Sequence, residues 1–187
     1  MDDNAIMSLV TAGDLGAMGT LYEKYKRPLY LYFLKVTLGN IHTSEDLVHT
    51  VFYRAIKYRS TFRRQGSFAS WLFSIAHNVC LDQHKPARSI IEYRPDLLQA
   101  VPPCYDDKDE TDEKNENLET LKKAMAMLEA GERELVILCK IDCLLYADVA
   151  EILGISEGNV KVRLFRAIRK LREIFKKLEK CRYEEKE

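Results

Sequence analysis

Hydrophobic positions recur at helical spacing in two zones of this chain, one ending near Lys85 and one beginning at Leu118. In the first zone the pattern predicts four helices. Asn4 to Thr11 is short and stops at Gly13. Asp14 to about Leu38 is amphipathic, with Pro28 breaking or kinking it and Gly39-Asn40 ending it. Thr43 can cap a third helix, Ser44 to Tyr58, whose Leu47, Val48, Val51, Phe52 and Ala55 form an apolar stripe. Its Ser44, Glu45 and Asp46 suit the positive end of the helix dipole. The loop RSTFRRQG and Ser67 lead to a fourth helix, FASWLFSIAHNVCLDQHK.

Between the zones, residues 86–117 carry Pro86, Pro95, Pro102 and Pro103 and then the acidic run DDKDETDEKNE. Little core-forming periodicity survives there, so the segment reads as a flexible acidic linker. The second zone contains Tyr146 to Leu171. Val149, Ala150, Ile152 and Leu153 share an apolar face, Gly154 breaks the helix, and Ser156 is placed to cap the next. Val160, Leu164, Ala167, Ile168 and Leu171 then face inward. Lys161, Arg163, Arg166, Arg169 and Lys170 take the other faces. A helix, a glycine break, a cap and a basic second helix, in that order, are the pattern of a helix-turn-helix. The second helix of such a unit enters the major groove by its N-terminal part. Asn159, Lys161, Arg163 and Arg166 are the candidate DNA contacts over 146–166, with Lys170 a candidate phosphate contact. The predicted fold is all-α: two small helical domains, 1–85 and 118–180, joined by the linker and followed by a charged tail, 181–187.

The formal net charge is zero, which taken alone argues against nucleic acid. Its distribution reverses that argument. From Val160 to Arg182 the only acids among many Lys and Arg residues are Glu173 and Glu179. Local basic surface, not net charge, sets phosphate affinity. The linker's acid offers that basic helix a complementary surface, so the two halves can pack together in the free protein, the alternative being a tether with no preferred docking. No apolar run approaches the length of a bilayer span, and MDDNAIMSLV lacks a signal-peptide core. A cytoplasmic location without membrane insertion is therefore expected. The five cysteines include no C-x-x-C pair. Cys139 and Cys143 fall in an apolar pattern and read as small core residues. His77 and Cys80 lack a second pair to complete a tetrahedral site, so neither metal nor other cofactor is expected.

A second cluster surrounds the fourth helix. Phe62, Phe68, Trp71, Phe73, His77 and Asn78 lie among Arg59, Arg63, Arg64, His84 and Lys85. Aromatic groups interleaved with cations suit unstacked single-stranded bases. Phe68, Trp71 and Leu72 are assigned to packing. Phe62, Arg63 and Asn78 remain as contact candidates, since an Asn amide can read a flipped base with its paired donor and acceptor.

With both clusters in view, the chain resembles a bacterial RNA polymerase sigma factor of the sigma-70 superfamily, extracytoplasmic-function (ECF) type. LYEKYKRPLYLY resembles that family's opening helix and SEDLVHTVFYRAIKY its core-polymerase-binding helix. TFRRQGSFASWLFSIAHNVCLDQHK resembles its minus-ten melting and reading segment. GERELVILCKIDCLLYADVAEILGISEGNVKVRLFRAIRKLR resembles its minus-thirty-five-reading domain. The resemblance implies a protein without enzymatic activity that binds core RNA polymerase and directs initiation at promoters of a stress or envelope-signal regulon. An anti-sigma factor is the usual partner in that family. Carried over by position, Asp46, Val48 and Phe52 belong to the polymerase-binding helix, with Phe52 either an interface anchor or a core residue. Phe62, Arg63 and Asn78 meet the minus-ten element, and Asn159, Lys161, Arg163 and Arg166 the minus-thirty-five element.

Three departures stand out. His49-Thr50 occupies the place of a Gln-Glu or Gln-Asp pair, Val162 that of a small Ser, and Leu144-Leu145 that of a Gly. The main rival is a two-domain helix-turn-helix regulator that acts on duplex DNA without core polymerase. It leaves the aromatic cluster and the acidic linker unexplained.

Overall fold

The computed structural model describes residues 2–63, 66–83 and 112–184. Among them are eight α-helices and no strand. The N-terminal half holds α1 (Asp3–Ala12), α2 (Met18–Val36), α3 (Ile41–Lys57) and α4 (Phe68–Gln83). The C-terminal half holds α5 (Asp112–Ala126), α6 (Ala130–Val136), α7 (Tyr146–Leu153) and α8 (Glu157–Glu184).

Most boundaries follow from local chemistry. Gly13 closes α1 in the left-handed conformation, φ 115°. The expected second helix is split at its start. Asp14 accepts from the Ala17 amide and folds Leu15–Ala17 into a 3₁₀ turn, and α2 begins at Met18. Pro28 does not end α2, which continues to Val36. Its ring stands on the exposed side. Asn40, rather than Thr43, caps α3, because its side-chain oxygen accepts from the Thr43 amide at 3.0 Å. The start of α4 is held from α1. Asn4 Oδ1 accepts from the Phe68 amide at 2.9 Å, and Asn4 Nδ2 donates to Gly66 O at 2.9 Å.

Of the segment read as a linker, 86–111 lies outside the described residues. Residues 112–117 belong to α5 rather than to a linker. After α6 the chain widens into a π turn, Ile137–Ile141, and Cys143 adopts a φ of 52°. This is where the backbone reverses into α7. Cys143 is exposed, contrary to its reading as a core residue, whereas Cys139 is buried. Gly154 ends α7 at φ 65°, with the Ile155 amide donating back to Ala150 O at 3.1 Å. Ser156 Oγ accepts from the Asn159 amide at 3.3 Å and so caps α8 as expected.

The N-terminal core forms where α2, α3 and α4 meet around Leu21, Leu29, Phe33, Val51, Phe68, Leu72 and Val79. The C-terminal core forms around Leu135, Leu138, Val149, Val160, Leu164 and Ala167. The two cores join into one apolar cluster, with α4 laid against α7 and α2 against α6. The halves do pack together; of the acidic run expected to meet the basic helix, 106–111 lies outside the described residues and Glu116 lies 3.6 Å from Arg182 of α8. The seam is apolar and is crossed by buried polar contacts. Glu134 of α6, 2% exposed, accepts from Tyr32 Oη of α2 and lies 2.8 and 2.9 Å from His77 Nδ1 of α4. Lys35 donates to Asp142, and Arg133 Nη1 donates to Val36 O at 3.2 Å. Burial, then Cys80 and Glu134, push the Tyr32 hydroxyl well above its ordinary pKa.

Candidate nucleic-acid interface

The exposed N-terminal part of α8 follows from its capping and its burial pattern. Val160, Leu164 and Ala167 are buried against α6 and α7, which turns the intervening residues outward. Asn159, Lys161, Arg163 and Arg166 are all exposed. They do not share one face. Lys161 Nζ pairs with Glu157 at 2.7 Å and sits 5.7 Å over the Tyr146 ring, on the α7 side. The hydrogen bond to Glu157 and its charge raise the Lys161 pKa. Arg163 and Arg166 turn the other way. They line a cleft of about 460 Å³ shared with Glu129, Glu132, Leu153, His77 and Leu81. Lys170, read as a phosphate contact, is engaged within the fold: its Nζ is 2.8 Å from Glu132 and 3.6 Å from Glu129.

On the N-terminal half, Phe62 is half-buried. Its ring meets Trp71 edge-on at 5.4 Å and Phe68 at 6.1 Å. Phe68 is core, 1% exposed, as assigned. Asn78 is exposed. Seven residues are almost two full helical turns, so Trp71 and Asn78 lie on one stripe of α4, roughly 10 Å apart along the axis. Phe62 therefore sits at one end of that stripe and Asn78 toward the other. Arg63, exposed, follows Phe62 at the edge of the described loop.

The polymerase-binding candidates divide by burial. Asp46 is exposed in the first turn of α3. Val48 and Phe52 are each 5% exposed, and the Phe52 ring packs edge-on against Tyr22 at 4.8 Å. Phe52 is thus a core residue here and does not project as an anchor. The reason is α2, whose Tyr22 covers the stripe that the sequence left looking unpartnered. Sequence reasoning missed what lies beside it. Tyr22, Lys26, Arg27 and Tyr30 of α2 and Glu45, Asp46 and His49 of α3 bound an open cleft of about 420 Å³, with Val48 on its floor. The alternating aromatic and basic positions of α2 carried that signal. Among the described residues no three His, Cys, Asp or Glu side chains converge as metal ligands, and no helix is long and apolar enough to cross a membrane.

The exposed second helix of a helix-turn-helix, α7 to α8, is the geometry of a DNA-binding protein. The Sigma-70 region 2 family matches residues 21–89, and the Sigma-70, region 4 family matches residues 118–171. The ECF RNA polymerase sigma factor BldN of Streptomyces coelicolor is 33% identical over 175 residues, which span 91% of this chain and 66% of BldN. The ECF RNA polymerase sigma factor SigL of Mycobacterium tuberculosis is 30% identical over 171 residues, 90% of this chain and 94% of SigL. Two solved structures share the fold. One is the sigma factor RpoE of Bartonella quintana in complex with the anti-sigma factor NepR, at TM-score 0.59 and 24% identity, covering 85% of this chain and 96% of that one. The other is CnrH in complex with the cytosolic domain of CnrY, at TM-score 0.63 and 21% identity, covering 93% of this chain and 97% of that one.

The chain belongs to the ECF sigma factors of RNA polymerase. It binds core polymerase and directs promoter-specific initiation, which sets aside the regulator that acts without polymerase.

Proposed function

We propose a division of labour within this sigma factor. Residues 1–85 dock on core polymerase and open the minus-ten element, 86–111 connect, and 112–180 read the minus-thirty-five element. The factor works in the cytoplasm without catalysis of its own, and an anti-sigma protein restrains it. That last expectation is supported by the two fold neighbours, RpoE captured with the anti-sigma factor NepR and CnrH with the cytosolic domain of CnrY. One observation carries the division. A single chain offers two chemically different DNA surfaces, a cationic helix fit for a duplex groove and an aromatic stripe with an exposed amide fit for a displaced base.

Asn78 is assigned to the captured minus-ten base, beside Phe62 and Arg63. Asn78→Ala is expected to slow promoter opening about tenfold, the scale of one good bidentate contact, with core binding unchanged. Open-complex footprinting and a core-binding assay separate the two steps. Normal opening by the variant removes the assignment. Asn159, Lys161, Arg163 and Arg166 are assigned to the minus-thirty-five element, Arg163 and Arg166 from the cleft side of the helix.

Polymerase docking is assigned to the cleft around Asp46, with Val48 as its apolar floor and Phe52 supporting it from within. Asp46→Arg places a cation next to Lys26 and Arg27 at an exposed first-turn position. Binding to core polymerase is expected to fall about tenfold while helicity is kept. Pull-down with circular dichroism as the folding control measures this. Undiminished binding by the folded variant moves the docking surface elsewhere.

A further inference from the structure

At 100° per residue, the buried Val160, Leu164 and Ala167 fix the inward side of α8. Gly158, Val162, Phe165 and Arg169 fall opposite them. Asn159 and Lys161 stand roughly a quarter turn to either side. The middle of the outward face is therefore not cationic over its first two turns. Val162 is 50% exposed and Phe165 69% exposed, two apolar side chains one turn apart with solvent before them. Single exposed apolar residues are ordinary. A contiguous pair at the centre of a face flanked by Lys161, Asn159 and Arg166 is not ordinary solvated surface.

Gly158 adds an independent observation. A Cβ placed there would meet nothing within 4 Å, and its φ is not among the positive ones. Neither space inside the fold nor backbone conformation requires a glycine. Alanine would be the better helix former. What does use a missing side chain is a partner that approaches the helix backbone closely from outside.

We propose that Gly158, Val162 and Phe165 are the specificity-determining centre of the upstream-reading face, where Val162 and Phe165 seat on the 5-methyl groups of thymines and Gly158 lets the helix sink far enough to reach them. The proposal rests on the assignment of α8 to the minus-thirty-five element. Neither side chain has a donor or acceptor, so neither reads a base by hydrogen bonding. In the major groove the apolar feature of a standard base edge is the thymine methyl. Lys161, Asn159 and Arg166 at the flanks then meet phosphates and neighbouring base edges. A hydroxyl at position 162 would hydrogen-bond several bases, whereas a valine narrows the choice to a methyl-bearing one.

The test uses the full-length protein with core polymerase from the same organism. An upstream element is first selected from a randomised promoter library. Its thymines are then replaced one at a time by deoxyuridine, which removes the methyl and nothing else. At one or two positions deoxyuridine is expected to weaken promoter binding about fourfold, the factor for one buried methyl-sized group. Val162→Ala or Phe165→Ala should erase that sensitivity at its own position. Gly158→Ala should weaken upstream recognition about tenfold or more while melting at the same or a higher temperature, which a structural role for the glycine would not produce. A selected upstream element that is indifferent to deoxyuridine throughout overturns the methyl reading and leaves the α8 assignment standing. So does sensitivity that survives both alanine variants. Normal recognition by Gly158→Ala overturns the close approach. A library that yields no upstream element removes the α8 assignment and this proposal together.

Discussion

Glu134→Ala is expected to part the two halves of the free protein while leaving each half helical. Alanine is the best helix former, so α6 itself is not weakened. What is lost is the carboxylate between Tyr32 and His77, leaving two polar groups from the other half facing an apolar seam. Removing one partner from a buried polar network typically costs about 3–5 kcal/mol, far more than the net worth of keeping it. A loss of about 3 kcal/mol shifts a closed–open equilibrium by roughly a hundredfold. In small-angle scattering the radius of gyration should grow, with the helical circular dichroism signal retained.

Glu134→Gln keeps an oxygen for Tyr32 and an amide for His77, and should stay compact. An unchanged radius for Glu134→Ala would mean that the apolar contact of α4 with α7 holds the halves by itself. Tyr32 also makes the closure sensitive to alkali. Lys35 of α2, His77 and Cys80 of α4, and Arg133 of α6 lie around the seam. The Tyr32 pKa is raised by burial, so the protonated hydroxyl favours the closed state. Its contribution is complete below the ordinary value near 10.0 and is lost as pH rises through the raised one.

The legibility of this chain in its sequence follows from the range of each interaction. Local signals carried through: Gly13, Gly154 and Ser156 end or begin helices because their chemistry acts within a few residues. The apolar stripe of α3 was visible, but not its cover, because Tyr22 is far along the chain and reaches Phe52 only through the fold. The same holds for Asn4 at the start of α4 and for Glu134 between Tyr32 and His77. In sequence Glu134 is one more acid in a charged helix. It acquires its role from two residues of the other half. The face of α8 was legible by residue type and not by direction. Residue type alone placed Asn159 with the cations Lys161, Arg163 and Arg166, whereas the buried positions turn Arg163 toward α6 and α4 and leave Val162 and Phe165 at the centre. Lys170 looked free until Glu129 and Glu132 of α6 came into reach.

Arg133→Met is expected to cost the C-terminal half more stability than any change on its DNA-facing surface. Arg133 is 6% exposed and spends its guanidinium on backbone carbonyls. Its Nε donates to Met125 O at 2.9 Å, and its Nη2 donates to Ala126 O at 3.1 Å and Leu128 O at 2.9 Å. Two of these carbonyls close α5 and one lies in the turn into α6, past the last helical amides; Met125 O also accepts from the Leu128 amide at 3.2 Å. Burial lowers the Arg133 pKa from its usual value, yet the group remains a cation because an arginine starts so high. A methionine fills much the same volume and supplies no donor. Each stranded carbonyl carries a desolvation cost of about 1–3 kcal/mol, so a total loss of about 3 kcal/mol or more is expected. Arg133→Lys should recover little of it, since one ammonium cannot reproduce a planar fork aimed at three carbonyls. Urea denaturation followed by circular dichroism measures both variants. Because Nη1 also reaches Val36 O of α2, the Met variant should loosen the seam along with the α5–α6 corner. If Arg133→Met unfolds at the same urea concentration as the parent, the carbonyls are satisfied by water and the corner is held by Leu128 and Leu135 packing alone.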